Sequence, residues 1–160
     1  MAAGNDPPRR AARFTVDAAA VVANWRTFAK LDGGAEAAAV VKANAYGLGV
    51  DRVAPSLAAA GCRTFFVATA GEALALRRAL GPGPTIYSLG GLSAAEAGPF
   101  QAATITPILN QGADAANWAA AGGGAYGLNI DTGMNRLGVR ADELAAVTQL
   151  LPAPGPILVM

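Results

Sequence analysis

Lys42-Ala-Asn-Ala-Tyr-Gly-Leu-Gly49 follows directly on the apolar run Ala37-Ala-Ala-Val-Val41. That run is short, continuous and apolar, the pattern of a strand buried on both faces in a parallel sheet. A lysine at the exit of such a strand is unusual, because its ammonium loses hydration there. Desolvation favours the neutral amine, which is a nucleophile for carbonyls and can form a Schiff base. Gly47 and Gly49 give the backbone freedom immediately after it. The plainer alternative is a lysine that reaches past the strand end into water, the usual fate of a charged side chain.

Outward from this stretch, strand-like and helix-like patterns alternate. Upstream, Arg13-Phe-Thr-Val-Asp17 is extended. Asp17 is placed to cap a helix with Val21, Val22, Trp25 and Phe28 on one face, stopped by Asp32-Gly-Gly34. Downstream, Asp51 opens a helix that carries Val53, Leu57 and Ala60 and stops at Gly61. Thr64-Phe-Phe-Val67 and Thr85-Ile-Tyr-Ser88 read as strands, with Thr69 and Glu72 at capping-box spacing between them. Ser93 and Glu96 repeat that spacing. Thr104-Ile-Thr106 reads as a short strand closed by Pro107, and Asn110 is placed to cap a helix that carries Trp118 and ends at Gly122-Gly-Gly124. Tyr126-Gly-Leu-Asn-Ile130 is a fifth strand, Ala141 to Leu151 a helix, Pro152-Ala-Pro-Gly-Pro156 a turn, and Ile157-Leu-Val-Met160 a sixth strand. Strands and helices alternating in this way mark parallel β/α units. A doubly wound sheet and a barrel both satisfy the pattern, and periodicity does not choose between them.

A chain of 160 residues suits one domain. Its 53% hydrophobic and 14% charged residues support a large core and argue against disorder. A net charge of +1 gives no nucleic-acid surface. There is no histidine, which removes Ser-His triads and His-ligated metals and leaves lysine, tyrosine, cysteine or a carboxylate as the base. The single Cys62 excludes an internal disulfide and is expected to be an inert, half-buried thiol. The run Ala18 to Ala23 is broken by Asn24 and Arg26, far short of the roughly 20 apolar residues that a spanning helix needs, so no membrane span is expected. Met1 to Arg13 has no apolar core and does not read as a signal peptide; residues 1–12 are expected to be a loose tail and the location cytoplasmic. Lys30 lies at the end of an amphipathic helix and is expected to be a solvated charge.

A second motif, Asp131-Thr-Gly-Met-Asn-Arg-Leu-Gly138, lies at the end of the fifth expected strand. In order and approximate spacing the two motifs resemble those of the alanine racemases, bacterial pyridoxal-phosphate enzymes on a barrel fold. The resemblance runs from about Phe14 to Met160. It implies an α/β fold, a parallel (β/α)8 barrel. Such a barrel has eight strands and typically about 250 residues, whereas about six strands are expected here. Residues 13–160 are therefore expected to form the N-terminal portion of the barrel, with the family's C-terminal β domain outside this chain. Both motifs fall at C-terminal strand ends, where barrel enzymes build their sites.

The resemblance also implies roles. Lys42 would hold pyridoxal phosphate and, once freed, act as the base for the D-isomer. Tyr46 would lie on the phosphate side. Arg136 would face the cofactor ring oxygen and the substrate carboxylate, a task that suits its planar fork of donors. Seven residues before Arg136, many relatives carry a lysine modified to a carbamate, and this chain has Asn129. Some relatives carry asparagine there with a bound chloride, which implies an anion site between Asn129 and Arg136. Leu48 stands where many relatives have histidine. The base on the opposite face is, in the family, a tyrosine from the second domain of the partner subunit, so a homodimer is expected at full length. The implied reaction interconverts L-alanine and D-alanine, supplying D-alanine for peptidoglycan. Three alternatives stand beside it. One is a racemase of broader amino-acid range. Another is a non-catalytic pyridoxal-phosphate barrel, against which the second motif speaks. The third is an inactive fragment, and these 160 residues alone are expected not to racemise alanine.

Overall fold

The computed structural model describes residues 14–31, 33–151, 153 and 155–160. The expected tail at 1–12, and Asp32, Pro152 and Pro154 of the expected helix stop and turn, lie outside the described residues.

Helix α1 (Ala18–Leu31) precedes β1 (Ala39–Val40). A short turn α2 (Lys42–Tyr46) and α3 (Val50–Ala59) lead to β2 (Thr64–Val67). Then α4 (Ala70–Leu80) leads to β3 (Thr85–Ser88), α5 (Ala94–Ala102) to β4 (Thr106–Leu109), and α6 (Gly112–Ala120) to β5 (Gly127–Leu128). Strands β6 (Ile130–Asp131) and β7 (Val139–Arg140) pair with each other, and α7 (Leu144–Gln149) leads to β8 (Leu158–Val159).

The main sheet has six parallel strands in the order β1-β2-β3-β4-β5-β8. Within this sheet each strand lies beside the one that follows it in chain order, with no reversal. A doubly wound sheet reverses its order at a switch point. Crossovers between parallel strands are almost always right-handed, so an unreversed order keeps every helix on one face and curls the sheet into a barrel wall. This settles the alternative that periodicity left open.

The two faces of the sheet differ accordingly. Phe65, Val67, Ile86, Leu109 and Leu128 pack in one buried cluster with Leu57, Leu76, Phe100 and Trp118 of the helices. Fully burying a side chain of this size contributes about 1.5–3 kcal/mol. The alternate residues face inward. Val40, Phe66, Tyr87 and Thr106 stand in register across β1 to β4, and the rings of Phe66 and Tyr87 stack at 4.8 Å and 13°. Farther along that face Ile108 pairs with Gly127. A Cβ at Gly127 would collide with Ile108 Cδ1, so glycine there makes room for the isoleucine.

At the N-terminal end of the strands Arg77 acts as a clamp. Its guanidinium donates to the carbonyls of Ala103, Gly81, Pro84 and Thr104 at 2.8–2.9 Å, and burial lowers its pKa. Cys62 is 1% exposed, deeper than the half-burial expected, and burial raises its thiol pKa, which makes it less reactive.

Most local signals hold. Asp17 Oδ1 accepts from the N–H groups of Ala19 and Ala20 at 2.9 and 3.1 Å, capping α1. Thr69 and Glu72 form a capping box at the start of α4. Several boundaries differ. The first and sixth strands are shorter than expected, Ala39–Val40 and Leu158–Val159, and α3 starts at Val50. The fourth strand is Thr106–Leu109, through Pro107, because Thr104 and Ile105 close α5 by donating to Gln101 and Phe100. Asn110 does not cap α6; Gln111 is the N-cap, and the Asn110 side chain serves the sheet. The expected fifth strand splits: Asn129 and Ile130 N–H still donate to Leu109 and Met160 beside it, while Ile130 and Asp131 also pair with β7. Helix α7 starts at Leu144, because Arg140 to Glu143 form a turn in which Glu143 N–H donates to Arg140.

Candidate active site

Lys42 leaves β1 half-buried, and the backbone then winds the wrong way. Ala43, Asn44, Ala45 and Tyr46 have φ of 51, 55, 53 and 54°. Left-handed winding costs an L-residue roughly 1–2 kcal/mol. Such strain persists where surrounding contacts over-determine it, and it clusters at functional sites. Here Asn44 Oδ1 accepts from Val50 N–H at 2.8 Å, and Asn44 O accepts from Gly47 and Gly49 at 3.2 and 3.0 Å. Glu72 Oε1 accepts from Ala43 N–H at 2.7 Å.

Strand alternation builds the rest of the site. Two residues beyond the inward-facing Val40, Phe66, Tyr87, Ile108, Gly127 and Leu158 come Lys42, Ala68, Leu89, Asn110, Asn129 and Met160. These form a row across the C-terminal ends of the strands. Lys42, Ala68, Leu89, Asn129 and Met160 line a cavity of about 560 Å³, and Arg136 closes its edge. The structure thus brings Lys42, Asn129 and Arg136 to one cavity.

Asn110 is 7% exposed and donates from Nδ2 to the carbonyls of Leu89 and Ile108 at 2.9 and 3.2 Å. Its Oδ1 therefore faces Asn129, which donates to it from Nδ2 at 2.9 Å. That leaves Asn129 one amide N–H and its Oδ1 toward the cavity side.

The second motif is a loop pinned at both ends. Asp131 Oδ1 accepts from the N–H groups of Gly133 and Asn135 at 2.9 and 3.0 Å. Those bonds, Asn135 first and Gly133 next, hold its carboxyl below the ordinary value of 3.8. Val139 N–H donates to Asn129 O at 2.8 Å. Gly138 has φ of 113°, and a Cβ there would lie 2.7 Å from Asp131 N, so only glycine permits this close return. Arg136 is carried on the exposed part of the loop, and Met134 beside it is 74% exposed.

Tyr46 is not brought to this cavity. It is 63% exposed and lines a separate groove with Trp25 and Phe28 of α1. The left-handed turn lies between Lys42 and Tyr46, so ordinary helical spacing does not relate the two side chains. Two residues of the site escaped the sequence reading in their present role. Glu72 was visible only as a capping residue, and Asn110 only as a helix cap. Among the described residues, no cluster of His, Cys, Asp and Glu side chains is placed to hold a metal ion, and no helix is long and apolar enough to cross a membrane.

A parallel β/α wall with a cationic cavity at the C-terminal ends of its strands is the arrangement of a β/α-barrel domain with its ligand site on the rim. The family described as alanine racemase, N-terminal domain, matches residues 16–160, and the chain belongs to it. It is 44% identical over 151 residues to the alanine racemase of Dinoroseobacter shibae, covering 93% of this chain and 43% of that protein. A crystal structure of alanine racemase from Bartonella henselae with covalently bound pyridoxal phosphate superposes with a TM-score of 0.78 at 38% identity, covering 84% of this chain and 40% of that one. A histidine racemase from Leuconostoc mesenteroides superposes with a TM-score of 0.76 at 28% identity, covering 92% of this chain and 41% of that one. The chain thus spans less than half the length of the relatives it matches.

Proposed function

We propose that this chain supplies the cofactor-lysine portion of a pyridoxal-phosphate-dependent alanine racemase, with Lys42 as the residue that carries the cofactor. The observation that supports this most is the convergence of Lys42, Asn129 and Arg136 on one cavity. Its volume of about 560 Å³ falls within the range usual for small-molecule sites. The donor set suits a small anionic aldehyde: a primary amine at Lys42 and a guanidinium at Arg136. The one carboxylate in the lining, Asp131, is engaged by backbone N–H groups.

Bound there, pyridoxal phosphate supplies an aldehyde carbon for the amine and a ring that accepts electron density as the substrate Cα proton leaves. Lys42 Nζ would hold the group and, once the substrate amine has displaced it, would move the proton on one face of the substrate Cα. Arg136 orients the substrate carboxylate with its fork of N–H donors. Asn129 offers an amide N–H to an anion such as chloride, which in turn holds Arg136. The phosphate-side role of Tyr46 rests on the resemblance alone, since Tyr46 lines the α1 groove and not this cavity. The full-length protein is proposed to be a homodimer, with a tyrosine of the partner subunit serving the opposite face of Cα.

The test is borohydride reduction of the cofactor-loaded full-length protein followed by peptide mapping. The pyridoxyl group is expected on Lys42; finding it on Lys30 overturns the assignment. D-alanine formation from L-alanine should weaken when chloride is removed, and indifference to chloride removes the anion from the scheme. A broader amino-acid range is a second reading, favoured by the likeness to a histidine racemase. It predicts kcat/KM for L-histidine within about tenfold of that for L-alanine, a gap of some 1.4 kcal/mol in transition-state binding.

A further inference from the structure

Glu72 stands on the first turn of α4 and does not line the cavity, yet its carboxylate reaches two segments that do. Oε1 accepts from Ala43 N–H at 2.7 Å, on the residue that follows Lys42. Oε2 accepts from Ala68 N–H at 2.8 Å and from Thr69 N–H at 3.3 Å. Ala68 lines the cavity with Lys42. The bond to Thr69 completes the capping box, and the other two are not needed for it.

We propose that Glu72 is a positioning residue for Lys42: its carboxylate fixes the start of the left-handed turn against the β2–α4 loop and so sets the direction in which the lysine enters the cavity. The proposal rests on Lys42 being the cofactor lysine. The chemistry selects a carboxylate. An ionised carboxyl only accepts, through two oxygens with about four lone-pair sites, and here it meets three N–H groups on two segments. Glutamine has the same shape but must turn its NH2 group toward one of those segments. Oxygen facing Ala68 and Thr69 satisfies two donors, so the Ala43 bond is the one that glutamine gives up. The anchor matters because the turn is strained on its own. Its far end is held by its own loop, through Asn44, Gly47 and Gly49. Its near end is held by Glu72, which belongs to the next β/α unit.

The test uses the full-length protein loaded with pyridoxal phosphate. Glu72→Gln is compared with Thr69→Ala, which removes the Thr69 Oγ1 cap on Glu72 N–H at 3.3 Å and leaves the Ala43 bond in place. Loss of one charge-assisted hydrogen bond should speed amide exchange at Ala43 by roughly 10- to 100-fold in Glu72→Gln, with cofactor release accelerated by roughly tenfold or more. Thr69→Ala should change neither, whatever it does to overall stability. Pyridoxyl mapping of the unaltered protein separates the two layers of the argument. Label on a residue other than Lys42 overturns the cofactor-lysine reading. Label on Lys42, with exchange and cofactor release in Glu72→Gln unchanged, overturns the role of Glu72 alone. Should Glu72→Gln not fold, the unaltered protein and Glu72→Asp carry the test. Protection at Ala43 that is lost on shortening the side chain supports the proposal, and an unprotected Ala43 amide in the unaltered protein overturns it.

Discussion

Replacing Ala43 with glycine should stabilise the fold, although the same change inside an ordinary helix destabilises it. Ala43 has φ of 51° and ψ of 49°, squarely left-handed. There an L-residue bears roughly 1–2 kcal/mol of steric cost that glycine does not. Glycine brings a greater entropy loss on folding, about 0.5–1 kcal/mol relative to alanine. Ala43 is exposed, so no buried methyl is lost, and glycine keeps the N–H that donates to Glu72. The difference favours Ala43→Gly by about 0.5–1 kcal/mol. Two companion changes isolate the cause. Ala75, exposed in the middle of α4, should cost about 1 kcal/mol as glycine. Ala45 shares the left-handed conformation but is 4% exposed, so glycine there also loses a buried methyl, worth about 0.8 kcal/mol, and should come out near neutral. Equilibrium urea unfolding with a shared m-value measures all three. If Ala43→Gly lowers the midpoint as Ala75→Gly does, the turn is not strained and the reasoning fails.

Two further predictions concern the barrel face and the second motif. Gly127→Ala forces Ile108 Cδ1 to move; overpacking of this kind costs about 1–3 kcal/mol, toward the lower end because the clashing atom is the tip of a side chain, and Ile108→Val in the same chain should recover most of it. Failure of that rescue in urea melts would place the cost elsewhere. Asp131 has its pKa lowered by the N–H groups of Asn135 and Gly133. The support it gives its loop is therefore full above the ordinary carboxyl value of 3.8 and is lost as pH falls through the lower folded value. The amide shift of Asn135, followed by NMR, should titrate below 3.8, and a midpoint at or above that value would contradict the geometry.

The parts of the fold that were legible in the sequence are those written in short-range pattern. The apolar run before Lys42, the capping residues Asp17, Thr69 and Glu72, and the strands Thr64–Val67 and Thr85–Ser88 all stand where local chemistry places them. The choice of a barrel was not local. It depends on the unreversed strand order, a property of pairings between segments, and only the resemblance carried by the two motifs anticipated it. The misplaced boundaries share that cause. Asn110 has the chemistry of a helix cap, but its side chain occupies the row at the strand ends, where Leu89, Ile108 and Asn129 together offer it more hydrogen bonds than a helix N-terminus would.

The site itself is where short-range reasoning fails most, and the failures are physically related. Ala-Asn-Ala-Tyr contains no glycine, and Asn44 is its one residue with a preference for the left-handed region, a preference for single residues and not for a run of four. Glu72 was legible as a capping residue because Thr69 lies three positions away. Its other oxygen reaches Ala43, 29 positions away, and no local pattern records that. The two facts explain each other. A turn that the sequence around it does not favour needs support from outside, and the nearest support is a carboxylate on the first turn of the next helix. The strain and its anchor thus meet at the residue next to Lys42. Local preference has yielded there to the geometry of the cavity, as is expected where a fold serves a site and not only its own stability.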